Sequence, residues 1–357
     1  MSETGNRRLV DRLSRNRKAG LRSVRSGLRS FVRDQPPPEP RPKTPKAAKD
    51  EAPASATRRR LPKAEPAPPL EEWPTAPGQT SLAGRVTPAV EPEKVRRFDA
   101  DLFEQLNEEY RSKPIVKRDK APTYDRDSLV VNAKKRVRWV HNTIDLRGKR
   151  VLEIGCGSGF ETWYAGNVLA EYAHGVDITE WTSWPDLRGE RCGFTEGDLA
   201  QHNPFEPGSF DRIMSFTVWE HVWSPYHLLK AAYDVLEPGG LFFLRANLYP
   251  GVKASHRYRD IYFPWPHLLF DDATIQEWDA RHGRTTGGAA WVNRLSWAHY
   301  EDHFARVGFE LVNATFDKTP IDEEFYARFE DILARYPRWD LETDYFRAIL
   351  AKPLDAT

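Results

Sequence analysis

Val151-Leu152-Glu153-Ile154-Gly155-Cys156-Gly157-Ser158-Gly159 sets the reading of this 357-residue chain. An apolar run interrupted by one acid has the pattern of a buried strand, and it breaks into a turn with glycine at every second position. Glycine adopts φ > 0 freely and lets a ligand reach the main chain, so a strand that ends this way and enters a helix builds a ligand floor at a sheet edge. Phe160, Tyr164 and Val168 follow at fourfold spacing and predict that helix. A pyrophosphate-binding turn would carry G-x-G-x-x-G, whose last glycine lets helix and strand pack closely. Phe160 occupies that last position, which argues against a phosphate cradle.

The spacing E-x-G-x-G-x-G, from Glu153 to Gly159, instead resembles the first motif of the class I methyltransferases, which bind S-adenosylmethionine. That resemblance implies an acid at the end of the second strand to hold the ribose hydroxyls. Ala173-His174-Gly175-Val176-Asp177-Ile178 supplies it, with Asp177 standing 22 residues beyond Gly155 and Ile178 placed to pack on the adenine. A third strand, Arg191 to Glu196, leads to Gly197-Asp198-Leu199, where Asp198 is suited to the adenine amine. A fourth, Phe210 to Phe216, runs into Thr217-Val218-Trp219-Glu220-His221. Ser224 as N-cap, Pro225 at the first position and the apolar face of Leu228, Leu229, Ala232, Val235 and Leu236 predict the next helix, with Pro238-Gly239-Gly240 as its stop. Leu241 to Arg245 is the fifth strand.

The resemblance therefore implies an α/β fold with a seven-stranded, mostly parallel, doubly wound sheet and S-adenosylmethionine as cofactor. Its cofactor contacts map to Glu153, Gly155, Cys156, Gly157, Gly159, Asp177, Ile178, Asp198, Leu199 and Phe216. Cys156 reads as a small side chain, because no base is placed beside it for nucleophilic work.

Toward the C-terminus, Ser296 opens a helix with Trp297, Tyr300, Phe304 and Val307 on its buried face, and Gly308 closes it. A strand starts at Phe309, Phe325, Phe329, Ile332 and Tyr336 predict one more helix, and Tyr345 to Ala351 reads as the closing antiparallel strand. Ahead of the sheet, residues 96–148 predict two helices, one with Phe98, Leu102, Leu106 and Tyr110, the other with Leu129, Val130, Ala133, Val137 and Val140; the resemblance implies that they cover the cofactor site, with capping of the sheet as the alternative.

Composition divides the chain further. Residues 1–99 hold 22 Lys and Arg against 12 Asp and Glu, with 15 of the 28 prolines, so the net charge of +1 hides a basic tail on an acidic body. Residues 1–33 interleave Leu13, Leu21, Val24, Leu28 and Phe31 with arginines, as a basic amphipathic segment that fits an anionic membrane or a protein partner. Nucleic acid is disfavoured by the acidic body. Residues 34–95 read as a disordered Pro/Ala-rich linker, and 149–357 as the catalytic domain. Two cysteines, no apolar run of about 18 residues and no signal-peptide core lead to the expectation of a cytoplasmic protein, possible membrane contact being peripheral.

The substrate side should lie in residues 247–294, a long insertion after the fifth strand. Its rings, among them Tyr249, Tyr262, Phe263, Trp265, Phe270 and Trp278, with Tyr258 and Trp291, suit a sugar whose faces stack while its hydroxyls find polar partners. His256-Arg257-Tyr258 with Phe263-Pro264-Trp265-Pro266-His267 also resembles methyltransferases of surface-glycan biosynthesis. The expected activity is O-methylation of a saccharide or glycoconjugate hydroxyl. A lipid, quinone or other small molecule is the alternative acceptor, and an inactive cofactor-binding scaffold the alternative class. His221 is the first choice of base because histidine titrates near neutrality, with Glu220 orienting or replacing it and His256 and His267 as rivals. No ligand spacing in the sequence indicates a metal.

Overall fold

The computed structural model describes residues 99–115, 125–257, 260–283 and 292–354. The basic segment 1–33, the linker 34–95, Phe98, Tyr258 and Trp291 lie outside them. Among the described residues no helix is long and apolar enough to cross a membrane.

Seven strands form one sheet: β1 Arg150–Ile154, β2 Tyr172–Asp177, β3 Cys192–Glu196, β4 Phe210–Phe216, β5 Leu236–Asn247, β6 Glu310–Lys318 and β7 Thr343–Ala351. Their order is β3-β2-β1-β4-β5-β7-β6. β1 to β5 run parallel, and β7 lies antiparallel between β5 and β6, as the sequence predicted. The order reverses between β1 and β4, so the crevice of an open α/β sheet opens beyond their carboxyl ends.

Helices cover both faces. On one, α1 is Ala100–Tyr110 only in sequence order; the covering helices are α2 Arg126–Ile144 and α3 Phe160–Tyr164, whose Val137, Val140, Phe160 and Tyr164 bury against Val151, Met214 and Phe243. On the other, α4 Pro225–Val235 and a later helix, Trp297–Val307, close over Leu152, Ile213, Phe242 and Leu244. Ser224 does cap α4 in position, yet its hydroxyl meets His227 Nδ1 at 2.8 Å and makes no bond to the helix backbone. Leu236 already belongs to β5, and Pro238-Gly239-Gly240 lies inside that extended span. The helix stops at Val235 as expected: pairing of β5 with β4 jumps from Leu236 to Leu241, and Gly239 at φ +77° turns the intervening residues out of the ladder while Gly239 and Gly240 bond Lys352 at 2.8 and 3.1 Å.

The long connection after β5 contains helices that its composition did not announce: Pro266–Leu269 and α5 Asp272–Arg281. α1 packs there, since Phe103 meets Phe263, Phe270 and Trp278 at centroid distances of 5.1, 5.0 and 5.6 Å. Only the second of the two expected covering helices, α2, reaches the sheet's crevice. α6 Trp297–Val307 carries the expected capping at Ser296, reciprocated by His299, and ends at Gly308. The single helix expected over Phe325 to Tyr336 is broken at Phe329 into Glu323–Arg328 and Glu330–Leu333, because Phe329 leaves helical geometry to enter the core of the insertion.

Candidate functional site

The glycine turn is fixed from both neighbouring strand ends. Gly155 and Cys156 donate their N–H groups to Val176 O at 2.8 and 3.1 Å, and Gly157 donates to Asp177 Oδ2 at 2.8 Å. Trp184 Nε1 and Ser183 Oγ in turn hold the carbonyls of Gly157 and Ser158 at 2.8 and 2.7 Å. Gly155 stands at φ +72°, and a Cβ there would come within 2.2 Å of Val218 Cγ2. The turn is therefore pressed against the segment that follows β4.

Asp177 ends β2 with Oδ1 accepting from Thr179 N–H at 3.2 Å, which leaves each oxygen a further lone pair. Gly197 N–H binds Asp177 O at 2.8 Å and brings the Asp198 turn alongside, where Asp198 accepts from Ala200 N–H and Gln201 Nε2, each at 2.9 Å. Ile178, 72% exposed, and Trp181, 45% exposed, present bare apolar surface beside this carboxylate. Leu199 differs: its side chain is buried in the core, so only its backbone can face a ligand.

A cavity of ≈ 320 Å³ lies on the turn, lined by Glu153, Gly155 to Ser158, Phe216, Leu129, Asn132, Arg136 and Glu161. Asn132, Arg136 and Glu161 were not singled out from sequence; the signal was available only as polar residues on one face of α2 and in the first turn of α3. Arg136 Nη1 pairs with Glu161 Oε1 at 2.8 Å. Glu153 is buried and accepts from Thr162 Oγ1, and burial, followed by the Glu161 charge, holds its carboxyl well above the usual range. Burial likewise raises the Cys156 thiol, which keeps it inert. A second cavity of ≈ 430 Å³ shares Asn132, Arg136 and Phe216 and adds Lys135, Trp139, Thr217, Arg245 and Asp317.

Past Phe216, Thr217 takes φ +52° and the chain enters a 3-10 turn, Trp219–His221. Trp219 anchors it: Nε1 donates to Ser215 Oγ at 3.0 Å, and Ser215 Oγ to Ile154 O at 2.8 Å. The returning insertion clamps it, with Asn293 N–H on Glu220 O at 2.7 Å and Asn293 Nδ2 on Trp219 O at 2.6 Å. Glu220, 2% exposed, has neither carboxylate oxygen in a well-formed hydrogen bond. Burial pushes its carboxyl up to about 7, against the pull of the Glu220 and Asn247 amides and the Arg245 charge.

His256 comes to the same place from the insertion, at φ +55°, with its ring 4.9 Å from that of His221. Burial, reinforced by His221, lowers it to about 4. Donor atoms of Glu220, His221 and His256 all lie within 4.8 Å of one another. The sequence offered no metal-ligand spacing because this trio is assembled across 35 residues of chain. His267 is not part of it. Its Nε2 is bound to Tyr249 O at 2.7 Å and its ring packs on Tyr249, so it ties the insertion together. Phe263, Trp265, Phe270 and Trp278 are also buried, in a core shared with α1, Phe325 and Phe329, and so are not a stacking platform.

An open α/β sheet with a ligand cavity on a glycine turn at its switch point, acids at two successive strand ends and an antiparallel seventh strand define a nucleoside-cofactor enzyme of the methyltransferase class. A sequence profile described as a methyltransferase domain matches residues 152–244. A protein of Mycolicibacterium smegmatis named "Probable S-adenosylmethionine-dependent methyltransferase" is 34% identical over 201 residues, which cover 49% of this chain and 76% of that one. The chain belongs to the class I S-adenosylmethionine-dependent methyltransferase family, and S-adenosylmethionine is its cofactor. A ubiquinone biosynthesis O-methyltransferase of Burkholderia multivorans is 32% identical over 118 residues, 31% of this chain and 50% of the relative, so the chain spans about half the length of that protein. A solved S-adenosylmethionine-dependent methyltransferase from Mesorhizobium loti matches with TM-score 0.42 and 19% identity over 61% of this chain and 99% of that one.

Proposed function

We propose that this methyltransferase acts on a hydroxyl oxygen of a small-molecule acceptor, with a saccharide or glycoconjugate hydroxyl and a quinol-type phenol as the first classes to try. The observation that carries the reading is the trio of Glu220, His221 and His256, which collects proton-handling groups just past Val218, the residue that rests on Gly155. The kinship with a ubiquinone biosynthesis O-methyltransferase supports an oxygen acceptor. Burial of the insertion's rings removes stacking as an argument for a sugar in particular.

The cavity fits the cofactor. Arg136 and Glu161 offer counter-charges to the carboxylate and ammonium of an amino acid, Asp177 has lone pairs for two ribose hydroxyls, and Ile178 and Trp181 offer apolar cover for the base. Asp198 would take the adenine amine. When bound, S-adenosylmethionine supplies a methyl carbon made electrophilic by its sulfonium. The chain aligns the acceptor oxygen behind that carbon, a contribution of up to about 7–11 kcal/mol. The acceptor oxygen would take that methyl, with the electron pair of the carbon–sulfur bond staying on the departing sulfur. The hydroxyl proton passes to a ring nitrogen of His221, which adds about 10²- to 10⁴-fold.

The test is transfer of labelled methyl from S-adenosylmethionine by the purified chain to a panel of saccharides and phenols. Base-stable methyl ethers are the expected product. Label found only on amines or carboxylates would overturn the hydroxyl reading.

A further inference from the structure

We propose that Glu220, His221 and His256 are the ligands of a divalent transition-metal cation that faces the acceptor. The site is a carboxylate and two imidazoles whose donor atoms already lie within 4.8 Å of one another. Two ligand atoms bound tetrahedrally to one ion at about 2.1 Å stand about 3.4 Å apart, so the widest pair of the trio closes by up to about 1.4 Å when the ion binds. His221 is the exposed member of the trio, on the side from which an ion would enter.

The second observation is the state of the floor. Both Glu220 oxygens and His256 Nε2 are buried without a hydrogen-bond partner. A buried carboxylate without a well-formed hydrogen bond is costly. One cation bound from the His221 side satisfies all of these atoms together. Thr217 and His256, at φ +52° and +55°, hold the flanking backbone in the left-handed region, a cost that persists only where the surrounding structure enforces it.

The donor set selects the cation. Two imidazoles and one carboxylate suit Zn²⁺, Co²⁺ or Fe²⁺, whereas Mg²⁺ prefers oxygen ligands and water. Three protein ligands leave positions for the acceptor, as in catalytic metal sites. An acceptor with two adjacent hydroxyls would fill two of them, which narrows the substrate to diols, whether of a sugar or a catechol. The catalytic consequence rests on the hydroxyl-acceptor reading; the binding of the cation does not. With the cation in place both imidazoles spend a lone pair on it, so the acceptor proton leaves to water and not to His221.

The experiment uses the full chain, free of any affinity tag and stripped with chelator. Co²⁺ is titrated while its visible absorption is followed, Zn²⁺ is titrated by calorimetry, and Mg²⁺ serves as comparison. One Co²⁺ or Zn²⁺ per chain is expected, with a rise in melting temperature. Glu220→Gln, His221→Ala and His256→Ala should each weaken binding at least about tenfold while keeping the wild-type circular dichroism. Equal binding by wild type and all three variants, or no binding by wild type, overturns the site; tighter binding of Mg²⁺ than of Zn²⁺ overturns the assigned class. Methyl transfer at full rate after stripping removes the cation's catalytic role and leaves His221 as base. A bound cation with no transfer to any hydroxyl leaves the site standing and sinks the hydroxyl reading.

Discussion

The glycine turn after β1 and the ring-rich segment after β5 both belong to the functional edge of the sheet, and they use their residues in opposite ways. At the turn, Gly155, Gly157 and Asp177 line or adjoin a cavity and keep polar atoms available. In the segment, Phe263, Trp265, Phe270 and Trp278 are all but fully buried, and it is His256 that reaches the end of β4, with its ring 4.9 Å from that of His221. A site made from backbone and one strand-end acid needs a particular local pattern. A site made from rings needs the same residues that a core needs.

The largest test of that contrast is Phe263→Ala. Phe263 is fully buried between Phe103, Phe270 and Phe325, and its loss should cost about 3–5 kcal/mol of stability in a denaturant melt. Cofactor affinity of the remaining folded protein should be unchanged. A stable variant with a weakened acceptor KM would instead return the ring to the binding surface.

Gly155→Ala attacks the other region. The new Cβ would meet Val218 at 2.2 Å on a backbone at φ +72°, so the turn, the Val218 segment or both must shift. Affinity for S-adenosylhomocysteine, read by calorimetry, should fall about 100-fold, equivalent to about 2.7 kcal/mol. Because Val218 leads into the Glu220 turn, acceptor turnover should suffer as well. Unchanged affinity would mean that the turn is not the cofactor floor.

How much of this was readable from the chain follows the same division. The strands, the glycine turn and Asp177 were legible because each is a local pattern: a hydrophobic run, a required φ, an acid at a strand end. Arg136 and Glu161 were not, since a charged residue on a helix reads as solvated until the fold shows what the helix covers. The joining of His256 to Glu220 and His221 depends on a backbone path through 35 residues, with no periodic signal to follow. His267 and the buried rings misled for the converse reason: their residue types fit a sugar site and a packed core equally well.

Asp177→Asn is a milder probe of the turn. Asn keeps the shape but turns one of the two oxygens that accept from Gly157 and Thr179 N–H into a donor, and it gives up the charge that strengthens bonds to the ribose hydroxyls, each such bond being worth about 1.5–3 kcal/mol. Cofactor affinity should drop roughly 10- to 100-fold while the melting temperature stays within a few degrees. No change in affinity would move the ribose away from β2 and weaken the assignment of Ile178 and Asp198 with it.

The smallest effect separates the sheet's own helices from the insertion by pH. His303, on α6 and nearly buried, is lowered to about 4 by burial, with His299 adding to the shift. His174 on β2 is lowered to about 4 by burial and then by Arg188. A histidine whose folded value lies below its unfolded value of about 6.5 takes up its proton in the unfolded chain first. The stabilising preference for the neutral form is therefore complete above about pH 6.5 and is lost as pH falls toward 4. Between pH 7 and about pH 5.5 the wild type should lose about 1 kcal/mol through His303. His303→Gln removes that titration, so its stability, whatever its starting level, should fall less over the same interval. An equal fall in both proteins would place the acid-sensitive group elsewhere, and a further variant at His174 would then show whether β2 carries it.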